Sequence, residues 1–271
     1  MMPVVSAFLL PGNPLPFLRQ DNPPWAVLAE AAKAAGVALR ASKPDVLLIY
    51  STQWIAVLDE LWQTRPHSTG LHVDENWYDY GDMQMNLRAD VELAKACIGA
   101  AGEAGIRSRA VDYDDFPIDT GTIVANAFVN PDGSIPAVVA ANNLYHDFAK
   151  TEELGRLAAR QADLQGKRAA IIAIGGLSSR YFDRDIDIAE DRIVDDEDDV
   201  ANRALLHMMK TGGADDLRDG IAAYTASIKA EMGLKHLGWL IGGVGDYTRA
   251  VVHGYGPTYG AGAAVVEFQT A

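Results

Sequence analysis

The chain has 271 residues, is 49% hydrophobic and carries a formal net charge of −14. That length holds a large core, and such acidity sets the surface against nucleic-acid phosphates and anionic lipid, so neither nucleic acid nor membrane is expected as a partner. The single cysteine, Cys97, rules out an internal disulfide and a thiolate zinc site. No apolar stretch approaches the roughly 20 residues of a membrane span, and the N-terminus lacks the basic region of a secretion signal, so a cytoplasmic protein is expected.

Residues 4–10 form the first apolar run, closed by Pro11-Gly12-Asn13-Pro14, and read as a strand ending in a turn. Residues 24–41 place Trp25, Leu28, Ala32, Ala35 and Leu39 at helical spacing among many alanines, the pattern of an amphipathic helix. Asp45 then leads Val46-Leu47-Leu48-Ile49-Tyr50, an unbroken run of the kind buried on both faces of a sheet. Strand, helix and strand make a βαβ crossover, so the two strands should be parallel, with Gly12 and Gln53 at one edge. Open α/β sheets bind ligands beyond the carboxyl ends of their strands. Here Ser51, Thr52, Gln53 and Trp54 occupy that place.

Further along, residues 54–62 read as helical, 66–76 as a polar, turn-rich stretch and 86–105 as a long helix. A short strand is expected at 107–111, an acidic loop at 112–121 and a strand at 135–141 ending in Asn142-Asn143. Thr151 is placed to cap a helix running to residue 165. Residues 168–174 read as a strand ending at Gly175-Gly176-Leu177-Ser178-Ser179. The acidic residues 183–199 read as a solvated loop and helix start, since they lack calcium-loop spacing. A helix follows at 200–210, then a short one capped by Asp215, then one long helix at 221–240 carrying Glu231, Lys235, His236 and Trp239. Two short strands around residues 253–268 close the chain. Alternating helices and apolar strands predict one α/β domain over residues 1–271, three-layered, with a mostly parallel or mixed central sheet flanked by helices.

Residue chemistry alone excludes more than it assigns. The glycines at 254–260 are interrupted by Pro257, and Gly175-Gly176 lacks the phosphate-loop lysine and the dinucleotide spacing. Leu177-Ser178-Ser179 lacks the flanking glycines of a nucleophile elbow. His67, His72, His146, His236 and His253 are scattered. Taken singly, His67 and His72 read as surface loop residues, His146 as a residue past a strand end placed to line a cleft, His236 as a satisfied helix residue and His253 as holding a turn. Gln53, at the expected ligand edge, is neither acid nor base.

Several segments in order, AFLLPGNPLP, PDVLLIYSTQW, DFPIDTGTI, AANNLYH, IGGLSSRYF and HGYGPTYGAGAAVVEF, carry a resemblance over nearly the whole chain. The chain resembles the type III (LigB-like) extradiol ring-cleavage dioxygenases, and among them the 2-aminophenol 1,6-dioxygenase subunits. Catalytic members hold a non-haem iron(II) by two histidines and a glutamate, leaving positions open for substrate and dioxygen. The resemblance implies that Gly12 (or Asn13, with a slip of one residue) and Gln53 stand at the two imidazole positions. It places Ser179 at the proton-transfer histidine and matches Glu231 to the glutamate. These would be vestigial positions: no catalytic residue, metal ligand or cofactor is expected in this chain. Iron(II) is expected instead in a homologous catalytic β subunit, in an α2β2 assembly opening 2-aminophenol or a substituted relative. Two alternatives stand beside it: a relocated metal site built from His67, His72, His146 and Glu231, and a module that binds an aromatic small molecule without turning it over.

Overall fold

The computed structural model describes residues 4–179 and 185–270. The described residues form ten strands and eight α-helices. The strands are β1 (Ser6–Leu10), β2 (Val46–Ala56), β3 (Glu60–Gln63), β4 (His67–His72), β5 (Met83–Arg88), β6 (Ser108–Val111), β7 (Ala137–Asn143), β8 (Ala169–Ile174), β9 (Tyr247–Thr258) and β10 (Ala261–Thr270). The helices are α1 (Leu15–Leu18), α2 (Pro23–Ala41), α3 (Val91–Glu103), α4 (Thr120–Val129), α5 (Phe148–Leu164), α6 (Asp196–Thr211), α7 (Ala214–Ser227) and α8 (Lys235–Val244). Eight strands form one mixed sheet in the order β6-β3-β7-β2-β8-β1-β10-β9, while β4 and β5 pair as a separate hairpin.

The middle of the sheet, β7-β2-β8-β1, is parallel. Its strands are buried along their length because side chains alternate between two cores. Ala7, Leu9, Leu48 and Tyr50 pack with α3, α5, α6, α7 and α8 on one face. Phe8, Leu10, Leu47 and Ile49 pack with α2 and α4 on the other. Each such Leu or Ile, fully desolvated, contributes about 1.5–3 kcal/mol, which is why these apolar runs fix the three-layer arrangement. The βαβ crossover is present with β8 inserted between its two strands.

Helix α8 packs against α5 more closely than side chains allow. A Cβ placed on Gly242 would lie 1.8 Å from the Glu152 carbonyl oxygen, and one on Gly155 would lie 2.1 Å from that of Trp239. Trp239 itself is stacked on Tyr50 at 5.7 Å and donates its indole N–H to the Leu48 carbonyl at 3.2 Å. This seats α8 directly against the strand that leads to Gln53.

Several elements differ from the sequence expectation. Residues 54–62 are not helical: β2 runs on to Ala56 with Gln53, Ile55 and Val57 outward and Trp54 and Ala56 inward, and a short turn leads to β3. The polar stretch from residue 66 contains β4, and the first residues of the expected helix at 86–105 belong to β5, its hairpin partner. The loop at 112–121 ends in α4, capped by the Asp119 carboxylate on Thr122 N–H. Asp147, not Thr151, caps α5, and the Thr151 hydroxyl bonds back to the Asp147 carbonyl. Gly213, not Asp215, stands at the cap of α7. The expected helix at 221–240 is broken: α7 stops at Ser227, a tight turn follows, and α8 restarts at Lys235. The closing strands are long, forming the β9–β10 hairpin with its register shifts. Residues 180–184, which include part of the IGGLSSRYF segment and the start of the acidic stretch, lie outside the described residues.

Candidate functional site

Register brings the expected site together. In the parallel triplet β1-β8-β2, Leu10 pairs with Ile174 and Ile174 with Ser51. Gly12, Gly176 and Gln53 therefore each follow two residues beyond one common line. The Gly175 N–H donates to the Leu10 carbonyl at 3.0 Å and ties two of these ends. A Cβ on Gly12 would meet Gln53 Nε2 at 3.0 Å and Ile174 Cγ2 at 3.1 Å. The amide of Gln53 thus lies across the ground that a side chain at position 12 would need. Asn13, the alternative register, turns its Oδ1 to the Leu15 N–H at 3.0 Å and serves the first turn of α1.

Glu231 reaches the same edge through the break between α7 and α8. Met232, Gly233 and Leu234 have φ of 45°, 64° and 55°. Two of these are side-chain-bearing residues in the left-handed region, where each costs about 1 kcal/mol. The turn carries the Glu231 carboxylate inward: Oε1 accepts the Thr52 hydroxyl at 2.5 Å and Oε2 accepts the Gly176 N–H at 2.9 Å. The residue as a whole is partly exposed, yet burial of the carboxyl raises its pKa, with the Thr52 and Gly176 bonds opposing the shift. Ser179 lies beside this turn, its N–H donating to the Lys229 carbonyl at 2.8 Å. The neighbouring Ser178 hydroxyl is held between Asn202 Nδ2 and the Gly262 N–H, both at 3.1 Å.

Three further groups near these strand ends escaped sequence reasoning. Thr52 anchors Glu231. Asp119, which reads in sequence as one acid of a loop, accepts the Ser51 hydroxyl at 2.5 Å, keeps Oδ2 buried without a hydrogen-bond partner among the described residues, and has its pKa raised by burial. His236 is fully buried, not satisfied as the sequence suggested: among the described residues neither ring nitrogen has a partner with hydrogen-bond geometry. Burial pulls its pKa down to about 3, with the nearby Gly176 backbone offsetting this only in part, so the ring is neutral. The signal for His236 was its place one residue after Lys235 on an otherwise apolar helix.

The other histidines do not converge on Glu231. His67 faces Asn86 Oδ1 at 2.9 Å and His72 faces Thr120 Oγ1 at 2.8 Å. His253 contacts Glu267 at 2.9 Å across the β9–β10 hairpin, between strands and not within a turn. His146 Nδ1 lies 3.1 Å from Glu60 Oε2. Glu60 is wholly buried; burial raises its carboxyl well above the usual range, against the opposing pull of the Lys235 cation. Burial and the Lys150 and Lys235 cations lower His146 to about 4. Both shifts act in the same direction, favouring the neutral carboxyl and the neutral imidazole. Lys235 itself donates to the Asn143 carbonyl at 2.7 Å.

The edge offers a poor cradle for the iron(II) that the resemblance implies. Gly12 provides no donor, Gln53 provides a neutral amide, and both oxygens of Glu231 are committed to protein donors. Among the described residues no three His, Cys, Asp or Glu side chains gather as a metal site. Imidazole and carboxylate donors suit iron, and a lone carboxylate does not hold it well, so these residues do not fit the group.

Comparison with known proteins places this geometry in context. Residues 16–268 match a family model described as the catalytic LigB subunit of aromatic ring-opening dioxygenase. The chain is 51% identical over 269 residues to the 2-aminophenol 1,6-dioxygenase alpha subunit of a Pseudomonas species, covering 98% of this chain and 99% of that one. It is 27% identical to the corresponding beta subunit, covering 98% and 93%. Among solved structures, an uncharacterized protein from Escherichia coli K12 superimposes with a TM-score of 0.68 at 14% identity, covering 97% of this chain and 98% of that one; at that identity the likeness is one of fold.

Proposed function

The chain belongs to the LigB family of aromatic ring-opening dioxygenases, and we propose that within it this protein is a partner subunit that does not cleave the ring itself. A homologous β subunit would hold iron(II) and perform the chemistry in a cytoplasmic α2β2 assembly. Its substrate would be 2-aminophenol or a substituted relative. This chain would stabilise that subunit and shape the entrance to its active site. A single observation carries this reading: at the edge where the family's ligands are expected, Gly12 and Gln53 offer no imidazole, and Glu231 is bound at both oxygens by Thr52 and Gly176.

The names of the two Pseudomonas relatives, alpha and beta subunits of one dioxygenase, support a two-chain enzyme. The relocated metal site loses its support, since His67, His72 and Glu231 bond elsewhere and His146 lies against Glu60 and not against Glu231. The test is reconstitution. This chain alone, its homologous subunit alone and the two co-expressed are each assayed with 2-aminophenol under aerobic conditions with ferrous iron. Ring opening is expected only where the homologous subunit is present and is enhanced by this chain. Turnover by the isolated chain would overturn the proposal.

A further inference from the structure

The end of β2 carries an unpartnered apolar surface. Beyond Gln53, Ile55 and Val57 point outward from the extended strand, and Leu58 follows in the turn to β3. The loop after β7 is pinned alongside by the Leu144 N–H bond to the Ala56 carbonyl at 2.9 Å, and sets Leu144 and Tyr145 next to them. Leu58 and Tyr145 are 79% and 78% exposed. Val57, Leu58 and Tyr145 share a shallow groove with Arg107 and Lys150. Single exposed apolar residues need no explanation, but five grouped at one strand end form a surface of the kind that marks a protein contact.

Charge decides what covers it. On a chain of net charge −14, the border of this patch carries an excess of cations: Arg107 and Lys150 line the groove, and Arg109 joins Arg107 on the single carboxylate of Asp59, at 3.3 and 3.6 Å. A second copy of the chain, paired through the same patch on both sides, would set cationic rim against cationic rim. A partner of the same fold but different surface charge would not.

We propose that Ile55, Val57, Leu58, Leu144 and Tyr145 form the face that docks the homologous β subunit, through an apolar centre with an acidic rim on that subunit. The proposal rests on the partner-subunit function given above and adds where the partner sits. The patch continues the outward row of β2 that begins at Gln53, so the docked subunit would lie beside the edge where Gly12, Gln53 and Glu231 meet.

The test uses the full chain co-expressed with the homologous subunit of its own organism. Leu58→Glu with Tyr145→Glu should weaken association by about 100-fold or more, because both charges enter the apolar centre. The isolated variant should keep the parent's melting temperature, since both side chains face solvent. Val37→Glu, on the exposed face of α2, should leave binding unchanged. Unaltered binding by the double variant would place the interface elsewhere while leaving the partner-subunit function standing. Failure of the parent chain to bind the homologous subunit would overturn both. Loss of a self-dimer with the mixed complex intact would make the occupant a second copy and overturn this inference alone.

Discussion

Glu231→Gln and Glu231→Ala should behave very differently, because the carboxylate serves two protein donors. In the Gln variant the amide oxygen accepts from Gly176 while the amide N–H donates to the Thr52 hydroxyl, whose own proton turns away. Both contacts survive, and the change costs under about 1 kcal/mol. The Ala variant leaves the Thr52 hydroxyl and the Gly176 N–H without partners. Each stranded group costs about 1–3 kcal/mol, so a loss of about 2–6 kcal/mol follows for the two. The pH dependence has a definite sign. Burial raises this carboxyl's pKa, so its stability contribution is fully present below the unfolded carboxyl value of about 4.3 and is lost as pH rises toward the folded value. The Gln variant lacks that loss and should gain on the parent as pH rises. Urea unfolding of the isolated chain between about pH 5 and about pH 8 reads the stability effects, and ring-cleavage assays of the reconstituted complex read function. Full activity of the Glu231→Gln complex is expected. Abolished activity, with stability and subunit association intact, would refute the argument that this carboxylate is structural.

Three other changes probe the framework. Glu60→Gln should flatten the decline of stability with rising pH, whose slope reaches up to about 1.4 kcal/mol per pH unit for a carboxyl held neutral; an unchanged slope in urea unfolding would mean that Glu60 is charged in the fold and paired with Lys235 or His146. Gly242→Ala should lower stability by about 3 kcal/mol or more, because its Cβ would fall 1.8 Å from the Glu152 carbonyl and force α5 and α8 apart. Gly99→Ala, which meets nothing within 4 Å, should be neutral or stabilising by up to about 1 kcal/mol, both glycine variants being read by the same urea unfolding.

The central sheet was legible because parallel strands buried on both faces read as unbroken apolar runs, as in Val46 to Tyr50 and Ala169 to Ile174. Elsewhere the sequence misled. Residues 54–62 suggested helical spacing through Trp54, Leu58 and Trp62, although the period-2 alternation of Gln53, Ile55 and Val57 against Trp54 and Ala56 was already there. Helix α4 is buried almost all round, so it shows no polar face to mark it, and its one clear sign was Asp119 ahead of Thr120. The α7–α8 break was hidden because Met232 and Leu234 adopt left-handed backbone that no residue type there announces.

The site was legible to the extent that strand ends are. Gly12 and Gln53 were expected at one edge, and register puts them there. The partners of Glu231 were not legible, since Thr52 lies 179 residues away in sequence and meets it only through the turn after α7. The unpartnered nitrogens of His236 and the buried carboxyl of Asp119 likewise depend on what packs around them. Sequence displays a residue's chemistry, but its satisfaction is a property of the packed interior.

Iron content, measured chain by chain, tests the central claim most directly. This chain and its homologous subunit are loaded together with ferrous iron without oxygen, separated under native conditions, and each assayed for metal by mass spectrometry. The account predicts near-stoichiometric iron on the homologous subunit and almost none on this chain. Stoichiometric iron on this chain, lost on Glu231→Gln, would contradict it.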